Sequence, residues 1–421
     1  MNNFTLLALL LISSASALKL PGTDCAKSPK DTRCTWNTSS GDFGKIGSGT
    51  PFALGGTEIF GSGFIDEKEN ALYLPLEIGS NTDGLGAVYR VDLATGNRTV
   101  ISGIVDGEER RGKGTTYTSD QGNQAEAWDL GGVRAVRAQA DGSIAALVSK
   151  SLVRRSEIIK VDRASGNRSV LWAHKLYDDA ARPGPTSIQT IEAGLGVNEA
   201  SLCQGGNGRI KPGDSFETDG KGTFYLMAYN NPSGSNIGLL KVASGKKCAW
   251  VSEYENTGTN VVGDGPTVNT LTPIMNTSAL RGGTFFGTTG PNPSGNTLFS
   301  IDLNSGKRST VSLKNVRAPA RSTGQGDGEV GYLGAFALAK TFALSVLPQA
   351  SSEYFEPVKV DLKTGDRSVL KVTSGPLKSN IRDGNQQVVA SLPSTNTFII
   401  GMKGSLYVFN ADTGASYTLS Q

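Results

Sequence analysis

Of the 421 residues, 54 are glycine, well above the ~7% usual in soluble proteins, while 37% are hydrophobic, so the chain can build a core and must turn often. The 41 Lys and Arg against 38 Asp and Glu leave a net charge of +3, which creates no field for nucleic acid or anionic lipid; neither is expected as a partner. One histidine (His174) and four cysteines, with no CxxC, CxxCH, HExxH or GxSxG, exclude zinc-finger, c-type haem, zincin and α/β-hydrolase chemistry.

The N-terminus reads as a secretory signal over residues 1–17. Phe4 to Ile12 is a short apolar run and Ser13 to Ala17 supplies small residues for cleavage, although no Lys or Arg precedes the run. No later apolar run is long enough to span a bilayer. The expected product is exported: secreted, periplasmic or associated with the cell envelope. Residues 18–58 form an arm outside the repeats described next, carrying Cys25 and Cys34 and a Gly/Ser-rich stretch, Ser39 to Thr50. An exported chain with four cysteines predicts disulfides, 25–34 and 203–248 being the short local pairings, with free buried thiols as the alternative.

From residue 59 onward one pattern recurs. Clear copies run from Val88 to Ser102 (VYRVDLATGNRTVIS), Ile158 to Trp172, Leu298 to Ser312 and Pro357 to Lys371; weaker ones run from Leu239 to Val251 and Leu406 to Leu419. Each is an apolar strand, a turn ending in glycine (Gly96, Gly166, Gly245, Gly306, Gly365, Gly414) and a β-branched strand. Glycine supplies the positive φ that such a turn needs. The Asp before each turn and the Arg after it (Asp92 and Arg98, Asp162 and Arg168, Asp302 and Arg308, Asp361 and Arg367) are expected to pair across the hairpin for about 0.2–1 kcal/mol. A further apolar strand precedes each hairpin, beginning near Asn70, Gly142, Gly222, Gly283, Lys340 and Asn396, and a less regular fourth precedes several of these.

Six units of four short strands predict an all-β fold, a six-bladed β-propeller of four-stranded antiparallel blades over residues 59–421, with blades near 59–102, 130–172, 211–252, 266–312, 329–371 and 384–421. The last copy places the outer strand of blade six at the C-terminal residues. Closure is then either a plain blade-to-blade contact or a strand added around Thr50 to Leu54. Over about residues 59–421 the chain resembles secreted six-bladed propellers of the broad NHL, gluconolactonase-like and strictosidine-synthase-like type, and its VDLxTGxRTVLS hairpin looks like the blade hairpin of many exported bacterial propellers. The resemblance implies architecture and leaves function open, since many chemistries share this fold.

Three inter-blade stretches are long, about 103–129, 173–210 and 313–328. Asp-Gly or Asp-x-Gly recurs at Asp120, Asp264, Asp327 and Asp383. Placed before the inner strands, these aspartates would ring the axis and offer oxygen ligands to Ca²⁺; the same dipeptides serve equally as turns. The gluconolactonase-like group implies a metal held by a Glu, two Asn and an Asp. Here Glu77, Asn198 and Asp264 lie in suitable segments, but no flanking motif ties them to those positions. His174 has no activated Ser beside it, and Trp36, Trp128, Trp172 and Trp250 make no repeated quinone-docking motif. The charged loop Gly107 to Gly114 reads as solvated or as a contact for an acidic partner. Sequons stand at Asn37, Asn97, Asn167 and Asn276, two of them inside the repeat turn.

The expectation is an exported, non-enzymatic binding or scaffolding subunit with protein partners in the cell envelope. The alternative is a Ca²⁺-type lactone or ester hydrolase with its site on the propeller axis.

Overall fold

The computed structural model describes residues 20, 24–28, 30, 32–34, 46–52, 59–78, 85–104, 110–114, 132–150, 155–175, 209–231, 236–243, 249–255, 260–266, 278–292, 295–314, 322–328, 336–346, 355–378, 386–402 and 404–421. Among them are six antiparallel sheets and only two short 3-10 turns, Thr32–Cys34 and Pro376–Lys378.

Each sheet is one blade, its strands following chain order from the axis outward. The inner strand of blade one is split into Ile59–Phe60 and Phe64–Asp66; Ala71–Ile78, Leu85–Asp92 and Arg98–Ile104 follow it. Inner and outer strands are Gly132–Ala138 and Arg168–Lys175 in blade two, Arg209–Thr218 and Ala249–Glu255 in blade three, and Ser278–Arg281 and Arg308–Leu313 in blade four. In blade five they are Phe336–Leu338 and Arg367–Val369, and in blade six Gln387–Leu392 and Ser416–Ser420. Blades one and three gain a fifth edge strand, Arg110–Arg111 and Asn260–Val262. Inner strands touch in sequence, and that of blade six meets Phe64–Asp66 of blade one, so the ring closes. The architecture is a six-bladed β-propeller.

Strand alternation explains the packing. Leu72, Leu74 and Leu76 face blade six, whereas Ala71 and Tyr73 face blade two. As a result there are six apolar clusters, one at each seam. Ile158 and Trp172 meet Phe216 and Phe224 between blades two and three; Phe342 and Leu344 meet Phe398 and Phe409 between blades five and six. A blade alone would leave both faces wet. Burying a large apolar side chain stabilises by about 1.5–3 kcal/mol, so the seams are where the fold is held.

The outer strands share one irregularity. A bulge skips Ile101, Leu171, Val251, Val311 and Leu419 in blades one, two, three, four and six. In four of these the bulged carbonyl faces the next blade's turn glycine: a Cβ on Gly96, Gly166, Gly306 or Gly365 would lie 2.0–2.1 Å from the oxygen of Leu419, Ile101, Val251 or Val311. These glycines also hold φ of +69° to +79°. Both the turn and the close approach therefore demand glycine.

Candidate functional site

Two polar assemblies stand out, one among the inner strands and one around the rim. The axial assembly begins with Arg137, on the inner strand of blade two. Its Nε and Nη2 donate to Glu217 Oε1 of blade three at 3.0 and 2.6 Å, and its Nη2 donates to Ser62 Oγ of blade one at 2.9 Å. Ser278 Oγ of blade four donates to the same Glu217 oxygen at 3.0 Å. The group thus links the inner strands of four successive blades, one to four, across half of the ring. Arg137 and Glu217 are 8% and 7% exposed, which makes the mutual pairing obligatory for two charges so far from water. The guanidinium also lies 5.8 Å from the ring centroid of Phe216. Chemically the pair is self-satisfied. Its role is to fix the inner strands of four blades, in line with Ser62 N–H to Arg134 O at 3.2 Å and Gly63 N–H to Val389 O at 2.8 Å.

The rim assembly repeats at seam after seam. Before each of four blades the chain lays a Gly-x-Gly strap across that blade's hairpin: Gly47-Ser48-Gly49, Gly112-Lys113-Gly114, Gly263-Asp264-Gly265 and Gly324-Gln325-Gly326, every glycine with positive φ. The carbonyl of the middle residue accepts the N–H of Arg98, Arg168, Arg308 or Arg367 at 2.6–2.8 Å. Before blade six, Ser374 O accepts the N–H of Ser416 at 3.0 Å in the same way.

Those four arginines do not pair with the aspartates of their own hairpins. Each Asp instead caps its turn: Oδ1 of Asp92, Asp162, Asp302 and Asp361 accepts the N–H of Thr95, Ser165, Ser305 and Thr364 at 2.8 Å. The expected cross-hairpin pairs give way to a stronger use of both groups. Each Arg is 1–6% exposed and crosses the seam to a serine of the preceding blade. Arg98 Nη1 donates to Ser420 Oγ at 2.8 Å, Arg168 Nη1 to Ser102 Oγ at 3.0 Å, Arg308 Nη1 to Ser252 Oγ at 2.6 Å and Arg367 Nη1 to Ser312 Oγ at 2.8 Å. Strap carbonyls take further donors: Thr50 O from Arg98 Nε, Pro266 O from Arg308 Nε and Thr323 O from Arg367 Nη1. Burial lowers the Arg98, Arg308 and Arg367 pKa from the usual arginine value, yet a guanidinium stays charged in proteins, so each is held as a multiply bonded cation.

The repeat turn also explains two sequons. Asn97 Oδ1 accepts Ser48 N–H at 2.8 Å and Asn167 Oδ1 accepts Lys113 N–H at 2.9 Å; Asp366 does the same for Gln325 N–H at 2.7 Å without forming a sequon. Residues 46–50, expected within an arm outside the repeat, are thus the first strap. The described part of the charged loop, residues 110–114, likewise supplies clasp parts: Arg111 Nη2 donates to Ala164 O of blade two at 2.8 Å and Lys113 centres a strap.

Of the aspartates considered as an axial ring, Asp264 is the exposed centre of the strap before blade four and Asp327 is exposed just after the strap before blade five. Both sit at the rim, beside different blades. Asp120 and Asp383 lie outside the described residues, as do Asn198, Cys203, Cys248, Trp36, Trp128 and residues 1–19. Glu77 belongs to the second strand of blade one and His174 to the outer strand of blade two. Trp172 is buried at the seam of blades two and three, with Trp250 packed against the same cluster. Cys25 and Cys34 form a disulfide. Among the described residues no helix is long and apolar enough to cross a membrane. The axial Arg137 and Glu217 went unread in the sequence, although a charge inside the apolar VRAVRA of blade two was the available signal.

No protein-family profile matches the sequence, and no curated protein matches it. Solved structures do resemble it in fold. The β-propeller domain of the Trilobed protease from Pyrococcus furiosus is 9% identical, covering 86% of this chain and 98% of that one at a TM-score of 0.40. TolB from Acinetobacter baumannii is 12% identical, covering 76% of this chain and 56% of that one at 0.38. A putative 6-phosphogluconolactonase from Bacteroides fragilis is 13% identical, covering 82% and 93% at 0.38. Similarities of this size assign no residue and no activity.

Proposed function

We propose that the protein is an exported propeller that works by binding, as a scaffolding subunit with protein partners in a cell-envelope assembly. One observation carries this reading: the rim straps hold four exposed, chemically different side chains (Ser48, Lys113, Asp264, Gln325) in equivalent, glycine-clamped positions. The flanking glycines are constant because the backbone contacts require them. The central side chain is free to vary, which is how a rigid frame displays a recognition surface. The Cys25–Cys34 disulfide and the apolar start of the chain favour an oxidising compartment.

The test is capture of cross-linked partners from native envelopes by the intact chain and by a Lys113→Ala/Asp264→Ala/Gln325→Ala variant. An unchanged thermal midpoint with at least tenfold lower capture supports the reading; undiminished capture removes the straps from it. The second reading, a metal-dependent lactone or ester hydrolase, rests on the aspartates, two of which stand at the rim. Turnover of a lactone or ester panel with Ca²⁺, Zn²⁺ or Mn²⁺ would replace the binding role.

A further inference from the structure

We propose that the disulfide-tied segment ahead of blade one is the closing element of the ring, and that reducing Cys25–Cys34 releases the seam between blades six and one before any other. At the seams entering blades two, four and five, the strap lies on the chain that leads from the preceding blade into the one it clasps. Both sides are therefore tied covalently through the strap. Blades six and one have no such tie, being the last and first blades in the sequence. Their strap, residues 46–50, runs on along the chain into blade one and must hold blade six by contact alone.

It does so at several points. Ser48 O accepts Arg98 N–H of blade one at 2.7 Å, Ile46 O accepts Gln421 N–H beyond the outer strand of blade six at 3.1 Å, and Arg98 Nη1 reaches Gln421 O at 2.7 Å and Ile46 O at 3.2 Å. Phe52 joins the apolar cluster of this seam, its ring centroid 5.4 Å from that of Tyr89. A second, separate clamp spans the same seam. The turn Thr32–Cys34 packs on Ser416–Ser420, and Arg33 donates from Nη1 to Thr418 O of blade six and from Nη2 to Thr95 O of blade one, both at 3.3 Å. Leu20 packs on the same cluster. Cys34 adjoins Arg33, and its bond to Cys25, with both residues less than 10% exposed, closes the loop that presents Arg33.

The chemistry is an ordinary exchange. A dithiol thiolate attacks the Cys25–Cys34 bond, the reagent ends as its cyclic disulfide, and the protein keeps two protonated thiols; two electrons pass from reagent to protein. The loop then loses its cross-link, and Arg33 its fixed position over the seam.

Amide hydrogen exchange on the full chain tests this, comparing Arg98 N–H (seam six–one) with Arg367 N–H (seam four–five). Dithiothreitol is expected to speed exchange at Arg98 at least tenfold while Arg367 stays within twofold. A Cys25→Ser/Cys34→Ser variant should show the fast Arg98 rate without reductant and no further change with it, which separates this bond from Cys203 and Cys248. If that variant does not fold, oxidised Arg33→Ala should still accelerate Arg98 selectively. Unchanged exchange at Arg98 on reduction, or equal acceleration at both amides, would overturn the proposal.

Discussion

The seam between blades four and five and the seam between blades five and six solve one geometric problem with different chemistry. At the first, Arg367 crosses to Ser312, whose own hydroxyl donates to Gly365 O at 2.7 Å. At the second, blade six has Ser416 where Arg would stand, and blade five has Val372 where Ser would stand, packed against an apolar cluster with the buried Leu377. The seam between blades two and three follows the second pattern. Trp172 occupies the serine position after the bulge, and the sequence of blade three carries Lys247 in place of Arg. Arg and Ser thus come and go together across seams, although they lie on different repeats. Neither could stay alone: a buried guanidinium or hydroxyl without its partner costs about 1–3 kcal/mol, more when charged. The backbone strap is the common frame, and the side chains are alternative fillings.

Predictions that break or sharpen this contrast begin with the apolar filling. Trp172→Ala should destabilise by about 4 kcal/mol, read from chemical denaturation, because nothing polar stands ready to fill the space; a loss below ~1 kcal/mol would show that this seam is not held by apolar packing. Next comes the frame itself. Gly265→Ala would put a Cβ 2.2 Å from Arg308 O at φ +120° and should cost about 3 kcal/mol, whereas Gly142→Ala, with φ +85° and nothing within 4 Å, should cost about 1 kcal/mol. Arg308→Ala should cost about 2 kcal/mol by removing the donors to Ser252 Oγ, Asn260 Oδ1 and the Pro266 carbonyl.

The smallest effect is acid sensitivity. Hydrogen bonds from Ser165, Ser305 and Thr364 hold the carboxyls of Asp162, Asp302 and Asp361 below their ordinary value of 3.8. Groups depressed in the folded state contribute stability that is present above the unfolded value and lost as pH falls through the folded one. The urea midpoint should therefore drop slightly between pH 4 and pH 2. Asp302→Asn should reduce that slope, since Asn410 caps the corresponding turn of blade six without titrating.

Much of this was legible from sequence because the hairpin repeat is local: an apolar strand, an Asx turn, a glycine and a second strand fall within fifteen residues. Six such copies were enough to specify the propeller. What escaped is what joins one repeat to the next. Arg367 and Ser312 are far apart in sequence, and each strap centres on a bare Gly-x-Gly, so Gly263-Asp264-Gly265 reads as a turn and Gly47-Ser48-Gly49 as linker. Arg98 and Asp92 look like a surface pair by spacing. Only the neighbouring blade reveals that one is a cap and the other a buried bolt. Arg137 and Glu217 sit on separate inner strands that only the packing of blade two on blade three brings together.

The central claim is that Arg and Ser form an energetic unit between blades. A double-mutant cycle on Arg367→Ala and Ser312→Ala, read by urea denaturation of the intact chain, measures it directly. The account predicts a coupling of about 1–2 kcal/mol, with the double variant less destabilised than the sum of the singles. Losses that add within ~0.3 kcal/mol would contradict it.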